Sequence, residues 1–265
     1  MTGDSIQSKR RLNTPGRPSP EIAMCRMFAY VGDSREDLAL LVNALSKAAR
    51  RDTIAEEVPL RDIVHDDGWG FAVYSKRGLV YYRSGGPIFR DDLTLPPTIG
   101  KIFAVFHAKQ ATPGNPVGQR FSHPFLAETD SGLVLLAHNG SVFKDRLAEM
   151  LHFAGDLSRV TDSELVLKYA VQRGLAAASA GLEDCTKTNS ALNLLVLEIG
   201  DNGQADMFVK HFYRKEGKLD KTRYYDLCYE DLTGGRAVFS STLNDYGLSG
   251  MSMEQDGLVP LSALK

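Results

Sequence analysis

The adjacent pair Met24 and Cys25 holds the most reactive possibility in this sequence. With Met24 removed, one residue would carry both a thiol and a free α-amine. An α-amine titrates at about 7.7 to 8.0, so at neutral pH its uncharged fraction can take the thiol proton, directly or through a water, and no histidine is needed as base. The same cysteine also reads as a half-buried strand residue, and the residue alone does not decide between the two. Further along lie short motifs rich in polar groups and glycine: His65-Asp66-Asp67-Gly68-Trp69-Gly70, His107-Ala108-Lys109-Gln110-Ala111-Thr112-Pro113-Gly114, Ser122-His123-Pro124-Phe125, Ala137-His138-Asn139-Gly140-Ser141 and Thr161-Asp162-Ser163-Glu164. Asn139 and Gly140 offer amide donors suited to charge building on a carbonyl oxygen, although an Asn-Gly pair is also a common hairpin turn. Asp162 is an acid able to meet an ammonium, and equally an acid placed for the N-terminus of a helix. His65, His107, His123 and His138 contain no HxH or HxxxH pair, so no metal site is expected. Trp69 is expected in the core or a pocket wall, and Asp66 and Asp67 are expected to shape the turn before Gly68.

These residues need elements to hold them. Arg26 to Gly32 reads as a strand, with Phe28, Tyr30 and Val31 ahead of a glycine stop. Ser34 stands at N-cap spacing from Asp37, and Leu38, Leu41, Val42, Leu45, Ala48 and Ala49 then recur at helical spacing up to Arg51. Strands are predicted over 70–74, 79–83, 102–107 and 133–138, the last delivering Asn139 and Gly140 at its end. Helices are predicted over 141–154 and 163–178, the second opened by Thr161 with Glu164 at capping-box spacing. Further strands are predicted over 192–199, 206–213, 224–229 and 236–240. Strands dominate and helices come in pairs, which favours sheets covered by helices over a doubly wound parallel sheet.

The chain has 265 residues, 43% of them hydrophobic, enough to bury a large core in one domain. A formal net charge of -2 gives no reason to expect nucleic acid or a membrane surface as partner. Three cysteines without close spacing fit neither a disulfide framework nor a zinc cage, and a cytoplasmic location is expected. Residues 1–24 differ from the rest: Lys9, Arg10 and Arg11 precede Pro15, Pro18 and Pro20 with little to bury. They are expected to be a disordered leader, removed from or not translated in the active form.

In their order and spread from residue 24 to residue 164, the motifs closely resemble the class II glutamine amidotransferase domain, the N-terminal-nucleophile glutaminase of purine and glucosamine biosynthesis. The nearest likeness is to a stand-alone branch whose chains begin Cys-Arg and contain an Asp-Gly-Trp-Gly turn. The resemblance implies an α+β fold, the four-layer αββα sandwich with two antiparallel sheets between helical layers, over one domain spanning 25–265. It implies Cys25 as nucleophile, with the Asn139 side-chain amide and the Gly140 N–H as oxyanion hole. Asp162 would take the substrate α-ammonium. Lys109 stands where the family carries an arginine for the α-carboxylate, and it keeps the charge while losing the bidentate fork. Thr112 and His123 would line the pocket, Thr112 at the start of a loop that closes over substrate. The implied substrate is glutamine or a γ-glutamyl small molecule, with no organic cofactor and no metal. Three versions stay open: independent hydrolysis, delivery of ammonia to a separate synthase subunit, and a non-catalytic binding subunit.

Overall fold

The computed structural model describes residues 25–57, 63–112, 115–216, 222–254 and 257–264; the leader expected over 1–24 lies outside them. In chain order the first half comprises β1 (Arg26–Gly32), α1 (Arg35–Arg50), α2 (Thr53–Glu57), β2 (Trp69–Ser75), β3 (Gly78–Ser84), β4 (Ile102–Ala108), β5 (Phe125–Thr129) and β6 (Gly132–Gly140). The second half comprises α3 (Lys144–Met150), α4 (Asp162–Arg173), α5 (Leu175–Cys185), β7 (Ser190–Gly200), β8 (Ala205–Lys210), β9 (Tyr213–Arg214), α6 (Thr222–Tyr225), β10 (Leu227–Leu232), β11 (Gly235–Ser240), β12 (Met251–Ser252) and β13 (Val259–Pro260).

Alternation along the strands builds the layers. In β1, Phe28 and Tyr30 point to a cluster shared with Leu38, Leu41 and Leu45 of α1, while Met27 and Ala29 point the other way, to Leu135, Leu195 and Val238. In β6 the same period-two rule sends Val134 and Leu136 to Leu147, Leu165 and Leu182 on the outer helices, and Leu135 and Ala137 inward. The result is helix, sheet, sheet, helix, with an apolar layer at each of the three junctions. One sheet has the order β12-β10-β11-β1-β4-β2-β3 and the other β13-β8-β7-β6-β5, with β9 added beside β7. Every strand pairing is antiparallel. This is the αββα sandwich expected of an N-terminal-nucleophile hydrolase. The centre of the first sheet is pinned by Phe28, Phe106 and Phe71, opposite one another on β1, β4 and β2, with neighbouring ring centroids 4.8 and 4.9 Å apart.

Local signals set the element ends. Ser34 caps α1 by accepting from the Asp37 N–H at 3.0 Å, and Thr161 and Glu164 form a complete capping box at the start of α4. Four elements differ by more than two residues from those read in the sequence. The helix expected over 163–178 is two helices, because Gly174 at φ +81° turns the chain between α4 and α5. The strand expected over 224–229 starts at Leu227, since Tyr224 and Tyr225 form the last turn of α6 and are buried against other side chains. The strand expected over 206–213 is interrupted between β8 and β9. The helix expected over 141–154 begins only at Lys144, because Val142 bridges to Thr186.

Candidate active site

Cys25 sits at the head of β1, whose first residue Arg26 pairs with Ala108 at the end of β4. Asn139 and Gly140 end β6 in the other sheet, opposite Asn193 and Leu192 of β7. The two strand ends meet between the sheets. Cys25 N donates to Asn139 Oδ1 at 3.0 Å, and its thiol donates to the Gln110 carbonyl at 3.7 Å. Because the cysteine nitrogen is a donor, the asparagine atom facing it must be oxygen, which leaves Nδ2 to donate elsewhere. Gly140 has φ +144°, and a Cβ there would lie 1.7 Å from the Ala191 carbonyl oxygen, so no other residue fits this strand end.

The turn at Gly68 positions the opposite wall. Lys109 N donates to Gly68 O at 2.7 Å, Asp67 N donates to Lys109 O at 3.1 Å, and Ala111 N donates to Asp67 Oδ2 at 2.8 Å. Gly68 is itself at φ +131°, with Ser122 Oγ where a Cβ would stand. Trp69 is buried beside Phe71 and Tyr82 and donates to Asp91, a core and positioning role. The third wall is the start of α4. Asp162 Oδ2 accepts from Val142 N at 3.2 Å, and Ser163 Oγ lies 3.0 Å from His138 Nδ1, so this helix end braces the segment that follows Gly140.

Cys25, Gly140, Lys109, Thr112, His123 and Asp162 line one cavity of about 30 Å³. Asn139 joins it through its bond to Cys25. The seven residues singled out in the sequence are thus brought together from four separate motifs and the head of β1. The space is wide enough to admit water, which needs about 10 to 15 Å³ of such volume. Lys109 belongs to the cavity wall: its ammonium donates to the carbonyls of Pro116 and Phe121 at 3.0 and 2.9 Å. A larger cavity of about 630 Å³ opens at another part of the second sheet, beside Glu198 and Asp206, away from every residue of the thiol site.

Burial dominates the electrostatics. It pushes the Cys25 thiol up to about 11, against the lowering pull of a backbone hydrogen bond with Gln110 and of the charges on Lys109 and Arg26. Burial lowers the Lys109 ammonium, opposed by the charges of Cys25, Asp67 and Asp162. It also drives His107 down to about 3, His123 well below the ordinary imidazole value, and His138 downward against the charge of Asp162. His123 and His138 therefore line the cavity beside a protonated thiol, with His107 packed against His123, and burial lowers the basicity of all three rings. Both ring nitrogens of His123 lack a hydrogen-bond partner among the described residues, while the ring centre lies 4.1 Å from that of His107, tilted by 40°. Among the described residues no group of three or more His, Cys, Asp or Glu side chains is arranged to hold a metal.

Sequence reasoning missed the Gln110 carbonyl, since a backbone acceptor has no residue signature. It also missed a buried cluster behind Cys25. Arg26, Asp52 and Tyr224 meet there without exposure, and the only prior signal was the Cys-Arg pair itself.

The profile of the family described as Glutamine amidotransferases class-II matches residues 24–211. No curated protein sequence matches the chain. Among solved structures, the allosteric regulatory enzyme of purine biosynthesis is 18% identical, with a TM-score of 0.57 over 88% of this chain and 48% of that one. The chain thus spans about half the length of that enzyme. A predicted glutamine amidotransferase from Pseudomonas aeruginosa PA01 is 17% identical over 84% of this chain and 81% of that one, with a TM-score of 0.37.

Proposed function

The chain belongs to the class II glutamine amidotransferases, and from that membership we propose that it hydrolyses the γ-carbonyl bond of glutamine or a γ-glutamyl compound through Cys25 as its first residue. The observation that carries the reading is the bond from Cys25 N to Asn139 Oδ1 at 3.0 Å, which ties a prospective α-amine, a thiol and an amide donor into one site. A thiol pushed up to about 11 is almost wholly protonated at neutral pH and needs a base at hand. The neighbouring histidines are held neutral with little basicity, so the α-amine of Cys25 itself is the fitting acceptor.

The reaction runs in two halves. The thiol sulfur attacks the γ-carbonyl carbon as the α-amine takes the thiol proton, and Asn139 Nδ2 and the Gly140 N–H receive the negative oxygen. The carbonyl re-forms, the C–N bond breaks, and the proton held by the α-amine passes to the departing nitrogen, leaving a γ-glutamyl thioester. Water then adds to the thioester, the C–S bond breaks, the sulfur regains a proton, and glutamate leaves. Asp162 suits the substrate α-ammonium. Lys109, with two of its three N–H groups on loop carbonyls, has one left for the α-carboxylate.

The test is glutamate release from glutamine, glutathione and simple γ-glutamyl amides, on protein whose first residue is established by intact mass. Release by chains that begin at Cys25, and none by Cys25→Ala, is expected. Activity in chains that retain residues before Cys25 would remove the α-amine from the mechanism. Release of ammonia only in the presence of a second protein would favour the subunit version.

A further inference from the structure

Arg26 is a fully buried guanidinium immediately after the nucleophile, and its side chain folds back on its own predecessor. Its Nη1 donates to the Cys25 carbonyl at 3.0 Å. Its Nη2 forms an ion pair with Asp52 at 2.7 Å, neither side chain being exposed, and the guanidinium lies 4.0 Å from the Tyr224 ring centre. Asp52 is held in turn: its Oδ1 accepts from Thr242 Oγ1 at 2.9 Å and Ala55 N at 3.2 Å, and its Oδ2 from Tyr224 OH at 3.1 Å with His65 Nε2 at 2.9 Å. Burying two charges is costly unless geometry and surrounding hydrogen bonds compensate, and apolar replacements are often more stable. A pair like this behind a reactive residue invites a reason other than stability.

The reason lies in where Cys25 stands. A residue that begins a chain has no preceding peptide to restrain it, and chain ends fray unless tied down. Cys25 must nevertheless hold its sulfur, its amine and its carbonyl in one geometry. Asn139 holds the nitrogen, and the arginine holds the carbonyl. The next residue is pinned separately, Met27 N donating to Ser240 Oγ at 3.1 Å.

Building on the reading above, we propose that Arg26, locked by Asp52, is a positioning residue for the nucleophile: it clamps the carbonyl of a chain-terminal Cys25, so that thiol and amine stay set against Asn139 and Gly140. Lysine retains the charge but not the planar fork, so it serves the clamp only in part.

The test compares wild type, Arg26→Lys and the double variant Arg26→Met with Asp52→Asn, all verified to begin at Cys25. The double variant removes both buried charges together, so no carboxylate is left unpaired in the core. The clamp predicts that its thermal midpoint stays near wild type while kcat falls about 100-fold, as misplacement of a reacting group does, with KM little changed. Arg26→Lys is expected between the two. Wild-type kcat in the double variant, or a loss confined to KM, overturns the proposal.

A readout independent of turnover accompanies it: the rate at which an aminopeptidase removes Cys25, followed by intact mass. A clamped end resists trimming and a frayed end does not, so equal rates in wild type and double variant also overturn the clamp. Should the double variant fail to fold, Arg26→Lys decides by the same two measurements. If wild type releases glutamate from none of the compounds, yet the variants lose Cys25 faster than wild type, the failure lies with the proposed substrate and the clamp stands.

Discussion

Asn139 has one productive orientation in this site. Its Oδ1 accepts from Cys25 N, and in the proposed mechanism Nδ2 is left for the oxygen of the carbonyl that the thiol attacks. That interaction strengthens as charge develops, so its loss belongs in the rate and not in binding. Asn139→Ala is expected to lower kcat by about 100- to 1000-fold with KM little altered, the loss typical of one oxyanion donor. Steady-state glutamate release checks it, and a defect confined to KM would show that Asn139 binds the ground state instead. At this scale the gathering of the candidate site was largely legible, because Cys25, Asn139, Gly140 and Asp162 are unusual types in recognisable strings. Asp52 was not. It closes the turn after an ordinary amphipathic helix, and only the fold brings it behind Cys25 to receive the arginine.

Elements were legible where a local cause sets them. β1 spans Arg26–Gly32 as read, because its alternation, its aromatic content and its glycine stop agree. The α4 start was also legible, since the capping box is a local exchange between Thr161 and Glu164, whose bonds measure 3.1 and 3.0 Å. Tyr224 and Tyr225 were misread because partners far away in sequence decide their conformation, overriding their preference for strand. β5 went unread because Phe125–Thr129 is a short edge strand, recognisable only once β6 lies beside it. Under the proposed function the cap has a further consequence, since Asp162 is the first residue of α4 and braces Val142 just beyond the end of β6. Thr161→Ala is expected to destabilise the protein by about 1 kcal/mol. In a chain of this size that lowers the unfolding midpoint by roughly 2 to 4 °C. It is also expected to raise KM for glutamine, as Asp162 loses its fixed position. An unchanged KM with the lowered midpoint would separate the cap from substrate binding.

The whole molecule encloses its site between two sheets, and that enclosure governs its response to acid. Sheets covered by helices were legible in the strand-rich order with paired helices, whereas the four-layer order came only with the family resemblance. The burial of His107, His123 and His138 as one cluster at the site was not, because the motifs that supply them are distant in sequence. His107 is held down to about 3, and His123 and His138 are lowered as well, all by burial. Below about 6.5 these rings take up protons in the unfolded chain while the folded protein keeps them neutral, so the unfolded state binds more protons and stability falls with falling pH. His211, also lowered by burial, pulls the same way. The Asp52 carboxyl, held far below the usual carboxylate range by Arg26 and His65 against its burial, adds stability that is full above about 4 and is lost only in stronger acid. The histidines therefore act first. Going from about pH 7.5 to about pH 5.5, His107 alone is expected to remove about 1.4 kcal/mol, and His123 and His138 act in the same direction. Thermal unfolding followed across that interval should show the midpoint dropping by at least roughly 3 to 6 °C, whereas a flat midpoint would mean that solvent reaches these rings in the folded protein.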